Sequence, residues 1–260
     1  MSSQFTYSLL PHQDTGVPSK VMKDLLAGGT FLESIAKVPY EWKSFETVAA
    51  AQANYSLKTR EITADAFARQ NTNLSASEED SLRAFRNGAL TITTGHQLMI
   101  CGGTVFFEAK VLGAVALAKA ASAALGIKVV PIFWMATEDH DFEEISSFHI
   151  GEHRFTWRLP DAKGPVGRLP TDSLAEQLES WLESVPLNAA QKELLQPRLQ
   201  AYKECENLSE ATRQWVRQRS EGLGLLVLDG QDVSLKAAAE PLWREEMKGV
   251  YSKLIQEQTE

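Results

Sequence analysis

Residues 90–135 read LTITTGHQLMICGGTVFFEAKVLGAVALAKAASAALGIKVVPIFWM, and three successive elements are predicted from this stretch. Residues 90–94 are short and β-branched, which is typical of a strand, and residues 129–135 form a second apolar run of strand length. The Ala-rich residues 104–125 between them are typical of a helix that ends at Gly126. Because neither strand alternates apolar with polar residues, the pattern indicates parallel strands that are buried on both faces.

The sequence on either side extends this α/β pattern. Residues 1–88 are predicted to form a helical lead-in, and residues 89–260 the core that contains the parallel sheet. The further elements predicted are a helix over 41–69, a helix capped by Ser75, a hairpin around Gly151, helices over 173–185 and 189–222, a buried strand over 225–229, and a closing helix over 235–258 that Pro241 interrupts. Pro131 cannot donate a ladder hydrogen bond, so we expect it at the start of its strand or at a bulge.

The composition is that of an ordinary globular protein. The chain has 260 residues, 43% of them hydrophobic, which is enough to bury a sizeable core in one large or two small domains. With 26 Lys+Arg against 34 Asp+Glu, the formal net charge is −8, and no long basic run is present. Most of the surface would repel nucleic acids and anionic membranes, so we expect neither as a partner.

Three features predict a cytoplasmic protein. Two cysteines, Cys101 and Cys205, are too few for a disulfide framework. The first residues, MSSQFTYS, have neither the positive charge nor the apolar segment of a secretory signal. The most apolar helix carries Glu108, Lys110 and Lys119, whose charges are costly in lipid.

Polar residues follow the first strand where it ends. His96 and Gln97 come directly after the strand, and Gly102 and Gly103 lead into the N-terminus of the next helix. Ligands of parallel sheets bind beyond the carboxyl ends of the strands, and a helix N-terminus suits a phosphate or carboxylate. On that helix Lys110 lies opposite the polar stripe, so it either serves this site or extends its ammonium to water.

A cluster of ionisable side chains follows the second strand. Residues 138–144 contain six of them, among which Glu138, Asp139, His140 and Asp141 are consecutive. Since the carboxyl ends of adjacent parallel strands meet at one edge, this cluster should share a crevice with the residues that follow the first strand. An acidic helix start and a capped tight turn are the structural alternatives for the two segments.

Three other groups of residues were weighed for chemistry. Glu138, His140 and Asp141 with His149 and His153 could ligate a metal, but no helical H-x-x-x-H pattern is present and we predict no metal site. Cys101 could be a nucleophile at a helix N-terminus, although packing as a small apolar side chain is the favoured interpretation. Four basic residues near the loop 164–167 could clamp a carboxylate or form a solvated face; they are Arg154, Arg158, Lys163 and Arg168.

Two motifs resemble a known family. Residues 95–110, GHQLMICGGTVFFEAK, and 131–145, PIFWMATEDHDFEEI, resemble BshC, the cysteine-adding enzymes of bacillithiol biosynthesis, and the resemblance continues through 164–168 and 224–230. It implies a Rossmann-like core similar to that of class I aminoacyl-tRNA synthetases and nucleotidyltransferases. The implied activity is that of a carbon–nitrogen ligase, which joins L-cysteine to glucosaminyl-malate in the cytoplasm. ATP or another nucleotide is the expected source of free energy.

The resemblance and the strand-end positions together suggest roles for individual residues. The predicted catalytic residues are His96, Gln97, Asp139, His140 and Asp141, with the histidines in proton transfer or charge balance and an aspartate orienting an imidazole. The predicted substrate- or nucleotide-binding residues are Gly95, Gly102, Gly103, Thr104, Lys110, Glu138 and Asp229. In this group the glycines admit an anion, Lys110 neutralises it, Glu138 holds the substrate amine, and Asp229 contacts a ribose or an amine.

Three positions depart from the commonest family pattern. His96 stands where Gln is most frequent, Thr104 where Pro is usual, and Phe106 where Tyr is usual. The resemblance also implies that this chain corresponds to the amino-terminal portion of such an enzyme, whose later part includes a coiled coil that forms a homodimer. Two alternatives to a complete ligase follow: a non-catalytic module that binds nucleotide or substrate, and a metal-dependent hydrolase that uses the acidic cluster.

Overall fold

The computed structural model describes residues 10–11, 14–27, 47, 50 and 56–259. The chain divides into two compact units, Met1–Asn54 and Tyr55–Glu260. In the described part of the first unit, helix α1 spans Lys20–Leu26. Before position 56 the predicted helix over 41–69 lies outside the described residues apart from residues 47 and 50, and from position 57 onwards it forms the first helix of the second unit.

The second unit alternates helices with strands. Its elements are α2 (Leu57–Gln70), α3 (Ala76–Arg86), β1 (Leu90–His96), α4 (Val105–Leu125), β2 (Val129–Met135), α5 (Phe142–Ile145), β3 (Ser147–Ile150), β4 (His153–Thr156), α6 (Asp172–Ser184), α7 (Ala189–Glu204), α8 (Leu208–Arg219), β5 (Leu226–Asp229), α9 (Val233–Met247) and α10 (Val250–Thr259). Short 3-10 turns occupy Ile100–Gly102 and Val166–Arg168. The predicted strand–helix–strand unit is confirmed as β1, α4 and β2.

The main sheet has three parallel strands in the order β1-β2-β5. The register pairs Met135 at the end of β2 with His96 on one side and Asp229 on the other. The three carboxyl ends therefore lie at one edge of the sheet. Strands β3 and β4 form the predicted hairpin as a separate antiparallel pair, with a left-handed Gly151 at its turn.

Alternate residues of the central strand enter two different cores. Phe133 and Met135 pack in a large cluster with residues of α4, α6, α7 and α8, whereas Val130 and Ile132 pack with residues of α2 and α3. The sheet is thus covered by helices on both faces, as its apolar strands predict. The N-cap predicted at Ser75 is also present. It is part of a capping box, because Ser75 and Glu78 each accept the other's backbone N–H.

Pro131 lies neither at the start of β2 nor at a bulge. It is the third residue of the strand and is paired in register with Ile92 of β1. Strand β5 joins β2 only from Ile132 onwards, so Pro131 has a neighbouring strand on one side alone. The prediction for this residue is wrong, because β2 begins at Val129, before the part that has a neighbouring strand on both sides. Pro131 therefore lies within the strand without a bulge.

Two predicted helix boundaries also differ from the structure. The predicted helix over 189–222 is two helices, α7 and α8, because Asn207 accepts the N–H of Glu210 as an N-cap and bridges to Pro170. The closing helix is not interrupted at Pro241, which lies inside α9. The break comes instead at Gly249, whose positive φ of 75° ends the helical conformation.

Two side-chain amides satisfy the outer edge of β5. Gln70 accepts the Asp229 N–H at 2.8 Å and donates to the Asp229 carbonyl at 3.3 Å. Asn71, which is 2% exposed, donates to the Val227 carbonyl at 3.2 Å and to Phe67 O at 2.9 Å. We call this pair of residues the amide clamp, since it takes the place of a neighbouring strand.

The amide clamp predicts a large effect for a small substitution. Asn71→Ala leaves the buried Val227 carbonyl without that donor and should lower the free energy of unfolding by about 1–3 kcal/mol. Gln200→Ala is the control, because it removes an exposed amide whose partner is Glu204 one turn away, and it should stay within about 0.5 kcal/mol of the wild type. Urea denaturation measures both. Equal stability of the two variants would contradict the clamp.

Candidate functional site

The loops after β1 and β2 are joined by the side chain of Gln97. Its Nε2 donates to Asp139 Oδ2 at 2.8 Å and to Glu144 Oε2 at 2.5 Å. Asp139 Oδ1 also accepts the backbone N–H groups of His140 and Asp141, at 2.6 and 3.1 Å. The hydrogen bond from Gln97 is the main reason that the pKa of Asp139 lies below its ordinary value. We call the Gln97–Asp139–Glu144 contact the glutamine bridge.

His96 lies beside the glutamine bridge as a half-buried imidazole. Its ring packs against Phe107 with centroids 5.3 Å apart, and Nδ1 lies 3.1 Å from the Gln97 carbonyl oxygen. Because a carbonyl only accepts, Nδ1 carries the proton and Nε2 is left as the basic nitrogen. Burial lowers the pKa of His96 below its ordinary value, and the charge of Lys110 lowers it further against the opposing effects of the Gln97 carbonyl and Glu144.

The aspartates do not orient an imidazole, contrary to the sequence-based expectation. The Asp139 carboxylate is engaged by Gln97 and by two backbone N–H groups. Asp141 Oδ1 accepts the Glu144 N–H at 2.9 Å and caps α5. His140 is exposed, and its ring forms no hydrogen bond with the part of the chain that the structure describes. A shared role of His96 and His140 in one crevice stays a prediction.

Lys110 reaches the end of β1 from α4. Its Nζ donates to the Gly95 carbonyl at 3.2 Å, and the side chain is exposed. The ammonium therefore meets both water and the strand end, where its charge acts on His96.

The two glycines before α4 are explained by the backbone conformation and packing of the turn that contains them. Gly102 and Gly103 have φ values of +83° and +56°, which disfavour other residues. A Cβ on Gly103 would lie 2.7 Å from Met99 side-chain atoms, so its small size serves packing within the protein. The expectation that these glycines admit an anion is not supported by this geometry. Thr104, the exposed N-cap residue, forms no side-chain capping hydrogen bond and leaves the start of α4 open to a ligand.

Cys101 is a buried thiol within the same turn. Burial raises its pKa to about 12, so the reactive thiolate is essentially absent at neutral pH. Its backbone N–H donates to Tyr202 Oη at 2.7 Å, which fixes the turn against α7. The packing interpretation of Cys101 agrees with these contacts, and the nucleophile interpretation does not.

Glu138 and Asp229 differ in how far the protein satisfies their carboxylates. Asp229 accepts the hydroxyls of Thr137 and Ser209 and the backbone N–H of Gln231, the last at 2.7 Å. Glu138 Oε2 is buried and has no hydrogen-bond partner among the described residues. It lies so close to Gly230 that a Cβ there would be 2.8 Å away. A buried, unpaired oxygen of this kind favours a donor such as an amine.

A cleft of about 410 Å³ opens at the same edge, beyond β2 and β5. Thr137, Ser209 and Arg213 line it, and the predictions from sequence missed all three. Ser209 and Arg213 are on α8, far along the chain from the strand-end motifs, and no local pattern marks them. Of the four basic residues near the loop 164–167, Arg168 is the one that lines the cleft.

Two other kinds of feature are absent from the described part of the chain. No group of three or more His, Cys, Asp or Glu side chains is placed to hold a metal ion there. No described helix combines the length and apolar character needed to cross a bilayer.

Comparison with known proteins gives one consistent result. The family model described as "Bacillithiol biosynthesis BshC, N-terminal Rossmann-like domain" matches residues 6–260. Proteins named "Putative cysteine ligase BshC" from Flavobacterium johnsoniae, Flavobacterium psychrophilum and Cytophaga hutchinsonii are 32%, 31% and 30% identical over 96%, 92% and 90% of this chain. The matches cover 48%, 46% and 43% of those proteins, so the chain spans about half the length of these curated relatives. The predicted Rossmann-like fold is confirmed.

The packing role of Gly103 can be tested against a glycine of the adjoining helix. Gly103→Ala should lower the free energy of unfolding by about 1–3 kcal/mol, because the new methyl group meets Met99 and the backbone is left-handed. Gly113→Ala lies inside α4 with nothing within 4 Å of its Cβ and should stabilise by about 1 kcal/mol. Thermal unfolding distinguishes the two, and a neutral Gly103→Ala would contradict the packing explanation.

The lowered pKa of His96 predicts a pH dependence of stability. Since the unfolded state binds this proton more readily, the contribution of His96 is present above the ordinary pKa of 6.5 and is lost as the pH falls towards the folded-state value. NMR titration of the His96 ring should give a midpoint below 6.5. Between pH 7.5 and pH 5, the free energy of unfolding measured by denaturation should fall by less in His96→Gln than in the wild type. Equal losses would contradict the prediction.

Proposed function

This chain belongs to the bacillithiol biosynthesis BshC family, and from that premise we propose that it carries the Rossmann-like part of a ligase site that joins L-cysteine to glucosaminyl-malate. The names of its relatives support a cysteine ligase, and the matched family model supports bacillithiol biosynthesis. The observation that carries the proposal is the glutamine bridge, which places His96 and two carboxylates together where parallel strands end.

His96 is the proton acceptor in this proposal, a role particular to chains that carry histidine where Gln is most frequent. Formation of the C–N bond breaks the C–O bond between the cysteine carboxyl carbon and its activating group, which leaves with that oxygen, and releases a proton from the attacking amine nitrogen. A neutral imidazole whose Nδ1–H is already bonded to the Gln97 carbonyl presents Nε2 as the base. The lowered pKa keeps the imidazole in this neutral form at physiological pH.

Glu138 and Lys110 bind the two kinds of charge that the substrates bring. The unpaired, buried Oε2 of Glu138 is suited to an ammonium or amine donor. The exposed Nζ of Lys110, held at Gly95, is suited to an anionic group at the end of β1. His140 and Asp229 remain further candidates for contact with substrate at the same edge.

A nucleotide is the proposed source of free energy, since amide formation from a free carboxylate is unfavourable in water. Lys110 and the uncapped first turn of α4 are the residues that would hold its phosphates, and they fit an anion because both present unused donors. When bound, it would activate the cysteine carboxyl group.

A binding module without turnover is the second candidate. It differs from the ligase in lacking turnover, and the part of its relatives that it matches is about half of their length. Such a module would keep the affinity for nucleotide or thiol precursor that the strand-end residues provide, and would need another polypeptide for turnover.

An assay of coupled product distinguishes these candidates. The 260-residue chain is incubated with L-cysteine, glucosaminyl-malate and ATP, and the product is measured by mass, with an identical reaction that lacks nucleotide. Nucleotide-dependent product supports the ligase. Ligand binding by calorimetry without product supports the module, and neither product nor binding contradicts both.

The glutamine bridge makes a specific prediction in that assay. Gln97→Leu should lower kcat/KM by about tenfold or more, because the two loops lose the side chain that orients them. Gln200→Leu, an exposed amide on α7, is the matched control and should leave turnover unchanged. Unchanged turnover in Gln97→Leu would remove the bridge from the mechanism.

The same assay tests the two histidines. Full activity in His96→Gln would contradict proton transfer by His96, and intact turnover in His140→Ala would remove His140 from the proposed site.

A further inference from the structure

The cleft beyond β2 and β5 contains three arginines and three acidic residues, whose formal charges cancel. The arginines are Arg69, Arg168 and Arg213, and the acids are Glu210, Asp229 and Asp232. Most of these charges are already engaged within the protein. Arg69 forms an ion pair with Asp232 at 3.3 Å, and Asp229 accepts two hydroxyls and a backbone N–H.

Of the three arginines, Arg213 is the one whose guanidinium the described residues leave unengaged. Its guanidinium is half-buried and forms neither a hydrogen bond nor an ion pair with the residues that the structure describes. The charges of Asp229 and Glu210 act on it, while burial lowers its pKa. Five N–H donors are therefore removed from much of the solvent without a protein acceptor, which is costly unless a ligand or water accepts from them.

The position of Arg213 gives these donors access to a ligand. Arg213 lines the 410 Å³ cleft and also a neighbouring cleft of about 600 Å³, so it lies where the two adjoin. Arg168 approaches the first cleft from the turn Val166–Arg168, and its one hydrogen bond there is to Gln231 Oε1 at 3.3 Å. Two guanidinium groups from different elements thus have donors available on one cavity.

The chemistry of the lining selects the class of ligand. A guanidinium pairs bidentately with carboxylates and phosphates alike. A phosphate dianion sets two negative charges at one point among three acidic side chains, whereas a dicarboxylate divides the same charge between two groups, each of which can pair with one arginine. A cleft of this size is sufficient for a small dicarboxylate with part of a sugar attached.

We propose that Arg213 and Arg168 form a carboxylate subsite for the malyl group of the amine substrate. The assignment rests on the proposed function, because that reaction supplies a substrate with a malyl group. Arg213 and Arg168 act here as binding residues that position the substrate, at a distance along the edge from the glutamine bridge.

Binding of L-malate to the 260-residue chain tests the subsite without turnover. Calorimetry or NMR should show saturable malate binding that Arg213→Gln weakens at least tenfold. Arg168→Gln, at an exposed position where folding is not at risk, should weaken it severalfold. Arg83→Gln is the matched control, since it removes the same charge from an exposed ion pair with Asp80 and lines neither cleft. Thermal unfolding checks that each variant is folded.

The outcomes separate the subsite from the ligase proposal. Arginine-dependent malate binding in a chain that forms no product supports the subsite although the ligase proposal fails. Product formation with an unchanged KM for glucosaminyl-malate in Arg213→Gln overturns the subsite and leaves the ligase standing. Inorganic phosphate that binds in an Arg213-dependent way while malate does not overturns the carboxylate assignment, and so does L-cysteine binding there in place of malate.

Discussion

The parallel pairing of β2 with a strand on each side is the constraint on which the rest of the molecule depends. Its register sets His96, Met135 and Asp229 level with one another, so three different loops leave the sheet at one edge. The apolar residues on both faces of β2 then require two helical layers. Helices α4 and α8, which pack in the same core, supply Lys110 and the pair Ser209 and Arg213. The candidate groups share one edge of the sheet because the strands are in register.

The site balances charge locally in a chain that is acidic overall. With a formal net charge of −8, the surface would repel anionic ligands, yet donors concentrate where the strands end. Gln97 donates hydrogen bonds to the carboxylates of Asp139 and Glu144. Thr137 and Ser209 donate to the carboxylate of Asp229. The cations Lys110 and Arg213 remain accessible. Because neutral donors satisfy these carboxylate oxygens, Lys110 and Arg213 are not drawn into ion pairs with them and stay free for a ligand.

The sequence predicts well those features that depend on neighbouring residues. The strands β1 and β2 and the N-cap at Ser75 follow from local patterns, and the structure contains all of them. The division of 189–222 by Asn207 was missed because its contact with Pro170 is tertiary. Gly103 shows a different limit, since a glycine required by Met99 and one required by a ligand look identical in the sequence. Arg213 was missed because it reaches the site from a distant helix.

The amide clamp makes the two margins of the sheet unequal. Along β5, side chains already occupy outward-facing backbone groups, whereas β1 pairs only with β2 within residues 56–259. Backbone pairing by any additional segment, whether from the same polypeptide or from another, is therefore directed to β1. The sheet is therefore open to extension on the side of β1. A strand added there would lengthen the edge where the strands end on the side of His96, and the Arg213 cleft would stay at the opposite end of that edge.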